Sequence, residues 1–417
     1  MHQPSTPGRA SLVLCLTGIL AALGLSGPAM AEAPARQYLQ TQLRVVRSLE
    51  ARADQITRIA DESAARLVCG GHIYAAGETG AVSELVGRAG GLCGIQALSW
   101  DKRPKSYGSS DVLLVADYGG GEPKPAWASQ QGPLVVLFAP AGSAMVRQPS
   151  ASNVRVIDVP VPPDLGPQTL HDGRRLMPAA APAVATAQWA FTAELIAACR
   201  RRHRQLAVYL SIHLDPGLQR LARTRGLLFE PQIQPEPVAA GRYARQFLGQ
   251  VGDAIQAVQA SELTNIRRAG QWIREAKAAG RQVVRRLEGH LPPHEVGRPG
   301  DPDCFTGLNK ADDEAAVKWA REKLHPGDVY LLLGYQQNED PLASAAHAAG
   351  ARTIFLTSQG PGKEQSQNAA NLYVDPHWPL TDACLDLPGY DVNACPLSAI
   401  LGLSVYYAIC AEAENGA

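Results

Sequence analysis

The sequence predicts an α/β fold made of two doubly wound domains in tandem, each built on a parallel sheet. Two observations carry this prediction. The sequence repeats itself with a period of about 210 to 218 residues, and each copy alternates helical segments with short apolar strands. A period of that length indicates two duplicated domains, and not a solenoid of small repeats. The chain of 417 residues is long enough for both domains.

The first 31 residues are typical of a secretory signal peptide. Residues 10–25 are apolar and uncharged, and Ala29-Met30-Ala31 ends the segment with a small-x-small pattern. A membrane anchor is the alternative, but the apolar run is shorter than the roughly 18 residues of a spanning helix, and Gly27-Pro28 closes it. We therefore expect cleavage after Ala31, a periplasmic or secreted mature chain, and no membrane contact after cleavage.

The composition is that of a globular protein. Hydrophobic residues make up 46% and charged residues 19%, so a sizeable core is available. The 39 basic and 39 acidic residues cancel, and the pI is about 7.1. Because there is no net field, binding to nucleic acid or to an anionic membrane surface is not expected. A homodimer is left open as the state of assembly.

The first copy, residues 35–226, begins with a long helix. Apolar residues at steps of three and four, from Leu39 to Ala60, form one stripe along it. The strands that follow are short apolar runs, which suit a parallel sheet buried on both faces. They are expected at Ile73 and at residues 112–116, 133–138 and 154–159, and the last helix at residues 182–199.

The second copy, residues 241–417, repeats this pattern after a proline-rich linker at residues 227–240. The sequence ARQYL at residues 35–39 recurs as ARQFL at residues 244–248. The strands are expected at residues 283–287, 329–333, 353–357 and 372–374, and the last helix at residues 396–413. Crossovers should be right-handed, and the first helices of the two copies should pack together with pseudo-twofold symmetry.

Cysteine and histidine spacings give no metal motif. Seven cysteines remain after the signal segment; Cys384 and Cys395 could close a short loop, or the cysteines could be buried as small apolar residues. No CxxC or CxxH spacing occurs, and Pro292-Pro293 prevents a regular helical face through His290 and His294, so no metal is expected. A P-loop and a GxGxxG fingerprint are also missing, so no cofactor is expected.

Several segments resemble sugar isomerase (SIS) domains. Residues 70–80 read GGHIYAAGETG and residues 88–92 read RAGGL, which is similar to an uncharacterised SIS family with the patterns GGxIxxFGxGHS and YRAGGL. Residues 346–354, AHAAGARTI, are similar to the SIS stretch AxxxGAxxI. The resemblance covers most of residues 37–417 as two tandem copies. It implies a flavodoxin-like, five-stranded parallel sheet in each copy, ligand loops at the strand C-termini, and a sugar or sugar derivative as small-molecule partner.

One loop departs from the SIS pattern in both copies. Phosphosugar-binding SIS domains carry a Ser/Thr-rich loop after the strand that corresponds to residues 112–116, and it cradles the phosphate. Here that loop reads DYGGGE at residues 117–122 and GYQQNE at residues 334–339, so the hydroxyl cluster is missing and an acid is present. A carboxylate repels a phosphate dianion. Either phosphate is not the ligand, or the protein binds it in another way.

Four acids are candidates for a catalytic base. Isomerisation of an aldose to a ketose needs a base that moves a proton between neighbouring carbons. Glu84 and Glu295 follow the first strand of each copy, and Glu122 and Glu339 lie in the loops after the third strand. Each has a simpler alternative role, because an acid in the first turn of a helix interacts favourably with the helix dipole.

The loops at the strand ends predict two clefts. Residues 77–80 and 117–122 should line the first cleft, and residues 288–290 and 335–339 the second. We favour the first, because its glycines let a ligand approach the backbone and Tyr118 offers a face for a sugar ring. The candidate ligand-binding residues are Gly77, Glu78, Thr79, Gly80, Asp117, Tyr118, Gly119, Gly120, Gly121, Tyr335, Gln336 and His377.

Two functions fit these observations. The first is isomerisation of a sugar or amino sugar, or of its phosphate, and the tandem SIS-like copies favour it. The second is carbohydrate binding without catalysis on a degenerate SIS fold. It is favoured by the lost hydroxyl loops and by export to a compartment where sugar phosphates are scarce. A fold alone does not decide between them.

Overall fold

The computed structural model has two five-stranded sheets in which every strand pair is parallel. It describes residues 33–99, 107–119, 132–147, 151–162, 173, 175–212, 214–298, 300–308, 313–335, 340–358, 371–379 and 381–416. The two doubly wound α/β halves predicted from the sequence are therefore confirmed. Residues 33–417 form one compact unit, and the domain boundaries around residues 227–240 stay predictions.

The first half contains five strands and six helices among the described residues. Its strands are β1 (Ile73–Gly77), β2 (Ile95–Ala97), β3 (Val112–Ala116), β4 (Leu134–Pro140) and β5 (Val154–Val159). Its helices are α1 (Pro34–Ala51), α2 (Ala53–Val68), α3 (Thr79–Leu85), α4 (Ala144–Arg147), α5 (Ala180–Arg200) and α6 (Gly217–Thr224).

The second half repeats this order and adds a hairpin. Its sheet strands are β6 (Val283–Leu287), β7 (Thr306–Gly307), β8 (Val329–Leu333), β9 (Arg352–Leu356) and β10 (Leu372–Val374), and β11 (Ala383–Leu385) pairs with β12 (Ala394–Pro396) in the hairpin. Its helices are α7 (Arg242–Ser261), α8 (Leu263–Ala278), α9 (Pro292–Glu295), α10 (Asp313–Lys323), α11 (Pro341–Ala348) and α12 (Ser398–Asn415).

The strand order is the same in both sheets. The first runs β2-β1-β3-β4-β5 and the second, read from its other edge, β7-β6-β8-β9-β10. This is the flavodoxin-like order, in which the chain direction across the sheet reverses between the first and third strands. Every strand predicted from an apolar run lies within two residues of its expected bounds. The strands that were not predicted, β2, β7 and the hairpin pair, are only two or three residues long.

One hydrophobic core joins the two halves. The inward residues of both sheets, such as Val112, Leu114, Leu331 and Ile354, belong to a single buried cluster together with the long helices. The opposite faces of the sheets carry two smaller clusters, one in each half. Side chains alternate between the faces of a strand, so continuous apolar runs are needed to fill both layers.

The single long helix predicted for the start of each copy is wrong, because the structure divides it in two. The first break is at Arg52, between α1 and α2, and the second is at Glu262, between α7 and α8. The two parts of each pair pack on different partners. The first helices α1 and α7 contact each other across the halves, whereas α2 packs on α5 and α8 packs on α12. The bend lets one continuous apolar stripe serve both contacts.

Each half caps the first helix of the other. Glu194 on α5 is fully buried and accepts hydrogen bonds from the backbone N–H groups of Gly241, at 2.9 Å, and Ala244, at 3.4 Å, where α7 begins. Glu412 on α12 accepts from the N–H of Ala35, at 3.0 Å, where α1 begins. A carboxylate at a helix start pairs with orphan N–H groups and with the positive end of the helix dipole. These reciprocal contacts tie the two halves together at both ends.

All seven cysteines after residue 31 are free thiols. Cys384 and Cys395 lie opposite each other on β11 and β12, and the Cys384 thiol donates to the Cys395 carbonyl at 3.2 Å. Burial raises the pKa of both thiols. The second alternative, small buried residues, describes five of the seven, since Cys69 is exposed and Cys384 is partly buried. Within the described part of the chain, no helix is long and apolar enough to cross a membrane.

Candidate functional site

A small cleft, about half open to solvent, lies at the carboxyl-terminal side of the second sheet, and its enclosed space of about 10 Å³ has room for about one water molecule. It is at the carboxyl ends of β6 and β8, the neighbouring strands between which the strand order reverses. Ligands of open α/β sheets bind at this kind of switch point. The lining residues are Glu288, Gly289, Pro292, Leu333, Gly334, Tyr335, Trp378, Ser398 and Ala399. Of the two predicted clefts, this one corresponds to the second.

Backbone contacts hold the two strand-end loops of the cleft together. The N–H of Glu288 donates to the Leu333 carbonyl at 2.8 Å. Gly289 has φ +99°, and a β-carbon there would lie 3.4 Å from the Tyr335 hydroxyl. A β-carbon at Gly334 would lie 3.2 Å from a carboxylate oxygen of Glu288. Glycine at these positions therefore leaves room for the acid and the phenol to face the same space.

Glu288 is the acidic residue in this lining. Its side chain is 19% exposed, and its nearest cation is Arg286, with Nε to Oε1 at 3.5 Å. Burial raises the pKa of Glu288, against the lowering effect of Arg286. Arg286 also pairs with Asp313 at 3.0 Å and with Asp340 at 3.6 Å, so three carboxylates share one guanidinium. The charge on Glu288 is therefore only partly compensated.

Trp378 supplies a buried donor without a partner. The residue lines the cleft and is 3% exposed, and its indole N–H has no hydrogen-bond partner. Its backbone carbonyl is held by the hydroxyl of Ser358. Buried indole N–H groups in proteins are normally hydrogen-bonded, and leaving one unpaired costs about 1 to 3 kcal/mol. The nitrogen atom itself is buried, so a ligand in the cleft reaches it only if the indole or the lining shifts.

A buried ionic cluster, the Arg88 cluster, lies behind the cleft. Arg88 donates to the Glu84 carboxylate, to Asp382 at 2.9 Å and to the Ser398 hydroxyl at 2.7 Å. The indole of Trp189 donates to Glu84 at 2.9 Å. Glu84, Arg88 and Trp189 belong to the first half, and Asp382 and Ser398 to the second, so the cluster bridges the halves. Ser398 also lines the cleft beside Tyr335, which connects the cluster to the cleft.

Asp382 occupies the amino terminus of α12. One oxygen of its carboxylate accepts from the N–H groups of Leu397, at 3.0 Å, and Ser398, at 2.7 Å. The other oxygen accepts from Arg88 and from the Ser398 hydroxyl. Asp382 has φ +60°, an uncommon backbone conformation that aspartate tolerates better than most residues. The chain's own carboxylate thus takes the position that an external anion could hold at this helix end.

Glu84 does not reach the cleft, although the sequence nominates it as a base. It is fully buried, and burial raises its pKa to about 7 despite the opposing charge of Arg88. Its two oxygens are taken by Trp189 and Arg88, which leaves none facing a ligand. We therefore assign Glu84 to the structure of the Arg88 cluster.

Glu295 has an equivalent place in a second cluster, the Arg298 cluster. Arg298 pairs with Glu295 at 2.8 Å and with Glu78 at 2.9 Å, which again joins the two halves. Burial raises the pKa of Glu295 to about 7, against the lowering effect of Arg298, and the nearby charge of Glu78 raises it further. A β-carbon at Gly80 would overlap the Glu295 carboxylate, so this glycine allows α3 to approach α9.

The prediction that the ring face of Tyr118 receives a sugar ring is wrong. Tyr118 is 3% exposed, and the guanidinium of Arg298 lies 5.6 Å from its ring centroid. The arginine thus covers the face that was expected to receive a sugar ring. The equivalent residue of the second half, Tyr335, lines the cleft and is only partly buried. The two tyrosines follow equivalent strands but differ in access.

The other nominated residues lie apart from the cleft or outside the described residues. Gly77 has φ +103°, and a side chain there would meet the Ala116 carbonyl; Thr79 is exposed at the start of α3. Asp117 accepts from the Gly119 N–H at 2.8 Å in a tight turn. His377 precedes Trp378 but bonds Ser261 through its ring, at 2.8 Å. Glu122, Glu339, Gly120, Gly121 and Gln336 lie outside the described residues.

Sequence reasoning missed Trp378, Ser398 and Asp382. They come from the long segment before the last helix and from its first turn, and no local pattern marks them. Ser398 and Asp382 lie about 300 residues from Arg88 in the chain, so their contacts depend on the packing of the halves. Within the described residues, no group of three or more histidine, cysteine or acidic side chains is arranged to hold a metal ion.

Comparisons with known proteins give matches only among solved structures. No protein-family model matches the chain, and no curated protein matches it. The C-terminal domain of glucosamine-fructose-6-phosphate aminotransferase from Francisella tularensis is 10% identical, with a TM-score of 0.45, over 93% of this chain and 97% of that one. A "putative phosphosugar isomerase" from Silicibacter pomeroyi is 15% identical, with a TM-score of 0.45, over 91% of this chain and 97% of that one. Because both TM-scores are below 0.5, the function proposed below rests on this chain's own residues.

Replacing Glu84 with glutamine should change how stability depends on pH. With its pKa raised from 4.5 to about 7, folded Glu84 holds a proton that the unfolded chain has released between these values. Its contribution to stability therefore falls as the pH rises from 4.5 to 7. Glutamine cannot titrate, so the free energy of unfolding of Glu84→Gln should rise relative to that of the wild type as the pH increases from 4.5 to 7.

Urea denaturation at pH 4.5 and pH 7 measures this difference. Glu322→Gln is the matched control, because Glu322 is exposed and makes only a long contact with Lys318. The control should show no pH-dependent gain. An equal effect of Glu84→Gln at both pH values would show that Glu84 stays ionised and would contradict the assignment.

Proposed function

We propose that this chain is a tandem SIS-type protein that binds a sugar derivative in the cleft of its second half. The observation that carries the proposal is the unpaired indole N–H of Trp378 in a cleft at the switch point of the sheet. Sites for small ligands combine apolar walls with a few polar groups that fix orientation. The resemblance of residues 70–92 and 346–354 to SIS domains supports the choice of a sugar.

The lining matches the two kinds of surface on a sugar. Trp378, Leu333 and Pro292 supply apolar surface for the C–H face of a ring. Glu288 accepts hydrogen bonds from hydroxyl groups, and Tyr335 can donate or accept them, whereas Ser398, whose O–H donates to Asp382, can only accept them. Ser398 is held by the Arg88 cluster, so this group is positioned before a ligand binds. Such preorganisation lowers the entropic cost of binding.

Isomerisation is a second candidate function, and Glu288 is the observation that favours it. Among the described acids it is the one that lines the cleft, and burial raises its pKa toward the range of a useful base. In this hypothesis Glu288 moves a proton between neighbouring carbons of the bound sugar, and the Tyr335 phenol lies near the carbonyl oxygen of that sugar. Exchange of the C2 proton for deuterium in deuterated water would distinguish turnover from binding alone.

Replacing Trp378 with phenylalanine should weaken sugar binding. The change keeps an aromatic ring but removes the N–H, so the affinity for a ligand found in a panel of monosaccharides and their phosphates should fall about 2- to 10-fold. Thermal shift identifies the ligand, and calorimetry measures its Kd.

Trp272→Phe is the matched control for this prediction. Trp272 lies on α8 under Arg268 and Arg352 and takes no part in the cleft. This variant should bind like the wild type. If Trp378→Phe binds as tightly as the control, the cleft is not the sugar site.

Export is also part of the proposal. It rests on the uncharged run at residues 10–25 and the Ala29-Met30-Ala31 pattern. Intact-mass analysis of the protein from its native cells should find a chain that begins near Glu32 in the envelope or medium. Recovery of the full-length chain from the cytosol would contradict it.

A further inference from the structure

We propose that the ligand of the cleft is an unphosphorylated amino sugar whose ammonium group pairs with Glu288. This inference rests on the proposed function and names its ligand class. It follows from the charges around the cleft: the one charged residue of the described lining is Glu288, and the cations nearest to the lining, Arg286 and Arg88, are each paired with carboxylates.

The first step concerns the lining itself. The nine described residues of the cleft wall include one acid, Glu288, and no lysine, arginine or histidine. The nearest cation, Arg286, lies 3.5 Å from Glu288 and is shared with Asp313 and Asp340. A ligand cation would find an incompletely compensated carboxylate here, whereas a ligand anion would meet repulsion.

The second step concerns the groups behind the lining that could hold a phosphate. The guanidinium of Arg88 is the next cation, but it already pairs with Glu84 and Asp382. The N–H groups of Leu397 and Ser398 at the start of α12 donate to Asp382. Phosphate binding at a helix start needs free N–H groups. The chain's own acids thus neutralise both of these phosphate-binding groups.

The third step concerns the remainder of the sugar. The Trp378 indole N–H has no partner, and the Tyr335 hydroxyl belongs to the same lining, while the Ser398 hydroxyl already donates to Asp382 and can only accept. These groups suit the hydroxyl and ring oxygens of an uncharged sugar frame. Only the ammonium group then requires a charged partner, and Glu288 is the one in place. An ion pair there would occupy the carboxylate that isomerisation needs, so amine recognition favours binding over turnover at this cleft.

Calorimetry with matched sugars tests the inference on the full chain. Glucosamine, galactosamine and mannosamine are compared with glucose, galactose and mannose, with the N-acetylated amino sugars and with the hexosamine 6-phosphates. For at least one frame, the hexosamine should bind about tenfold or more tightly than the hexose. The N-acetyl form, which carries no charge on nitrogen, should lose this advantage, and the 6-phosphate should bind at least tenfold more weakly than the hexosamine.

A variant locates the effect. In Glu288→Gln the Kd values of hexosamine and hexose should come within about twofold of each other, while Glu322→Gln should keep the wild-type ratio. Tighter binding of the 6-phosphate, or an amine preference that survives in folded Glu288→Gln, would overturn this inference and leave the proposed function standing. If no sugar in the panel binds, both fail. The comparison with N-acetylated sugars needs only the wild type, so it decides the matter even if the variant does not fold.

Discussion

The contact between the two halves depends on two buried carboxylates, one from each half. Each carboxylate binds the start of a helix in the other half. Glu194 closes the start of α7, and Glu412 closes the start of α1. Both acids lie inside long, almost entirely apolar helices, where an unpaired charge would be costly. Glu194 is compensated by Arg201 of its own half, at 3.1 Å, as well as by the start of α7, and Glu412 accepts from the start of α1. These contacts act together with the packing of α1 on α7 and the core shared between the sheets.

The candidate site also depends on contacts between the two halves. The cleft belongs to the second half, but its Ser398 is held by Arg88 from the first half, and Arg88 in turn needs Glu84 and Asp382. The Arg298 cluster makes the converse connection, from the second half to Glu78 of the first. The two clusters have the same chemistry, one arginine between two acids. They differ in outcome, because Arg298 covers Tyr118 while Tyr335 stays accessible to the cleft.

More of the fold than of the candidate site could be predicted from the sequence. Continuous apolar runs such as residues 112–116 predict buried parallel strands directly, because few other structures bury both faces of so short a segment. Position at a strand end also placed Glu288 and Tyr335 near a cleft. The break at Arg52 could not be seen, because the apolar stripe continues through it. Trp378 and Asp382 could not be seen either, since their roles depend on contacts between segments far apart in the chain. Glu194 and Glu412, which lie inside the apolar helices α5 and α12, were a sequence signal for contacts between the halves that was not used.

The central claim is that the two halves form one cooperative unit, and chemical denaturation followed by two probes tests it most directly. Far-UV circular dichroism and tryptophan fluorescence should give one coincident transition for the wild type. Glu194→Gln should lower the free energy of unfolding by about 1 to 3 kcal/mol while the two probes still coincide. Two separate transitions, or a Glu194→Gln effect confined to one of them, would show that the halves are stable independently and would contradict the account.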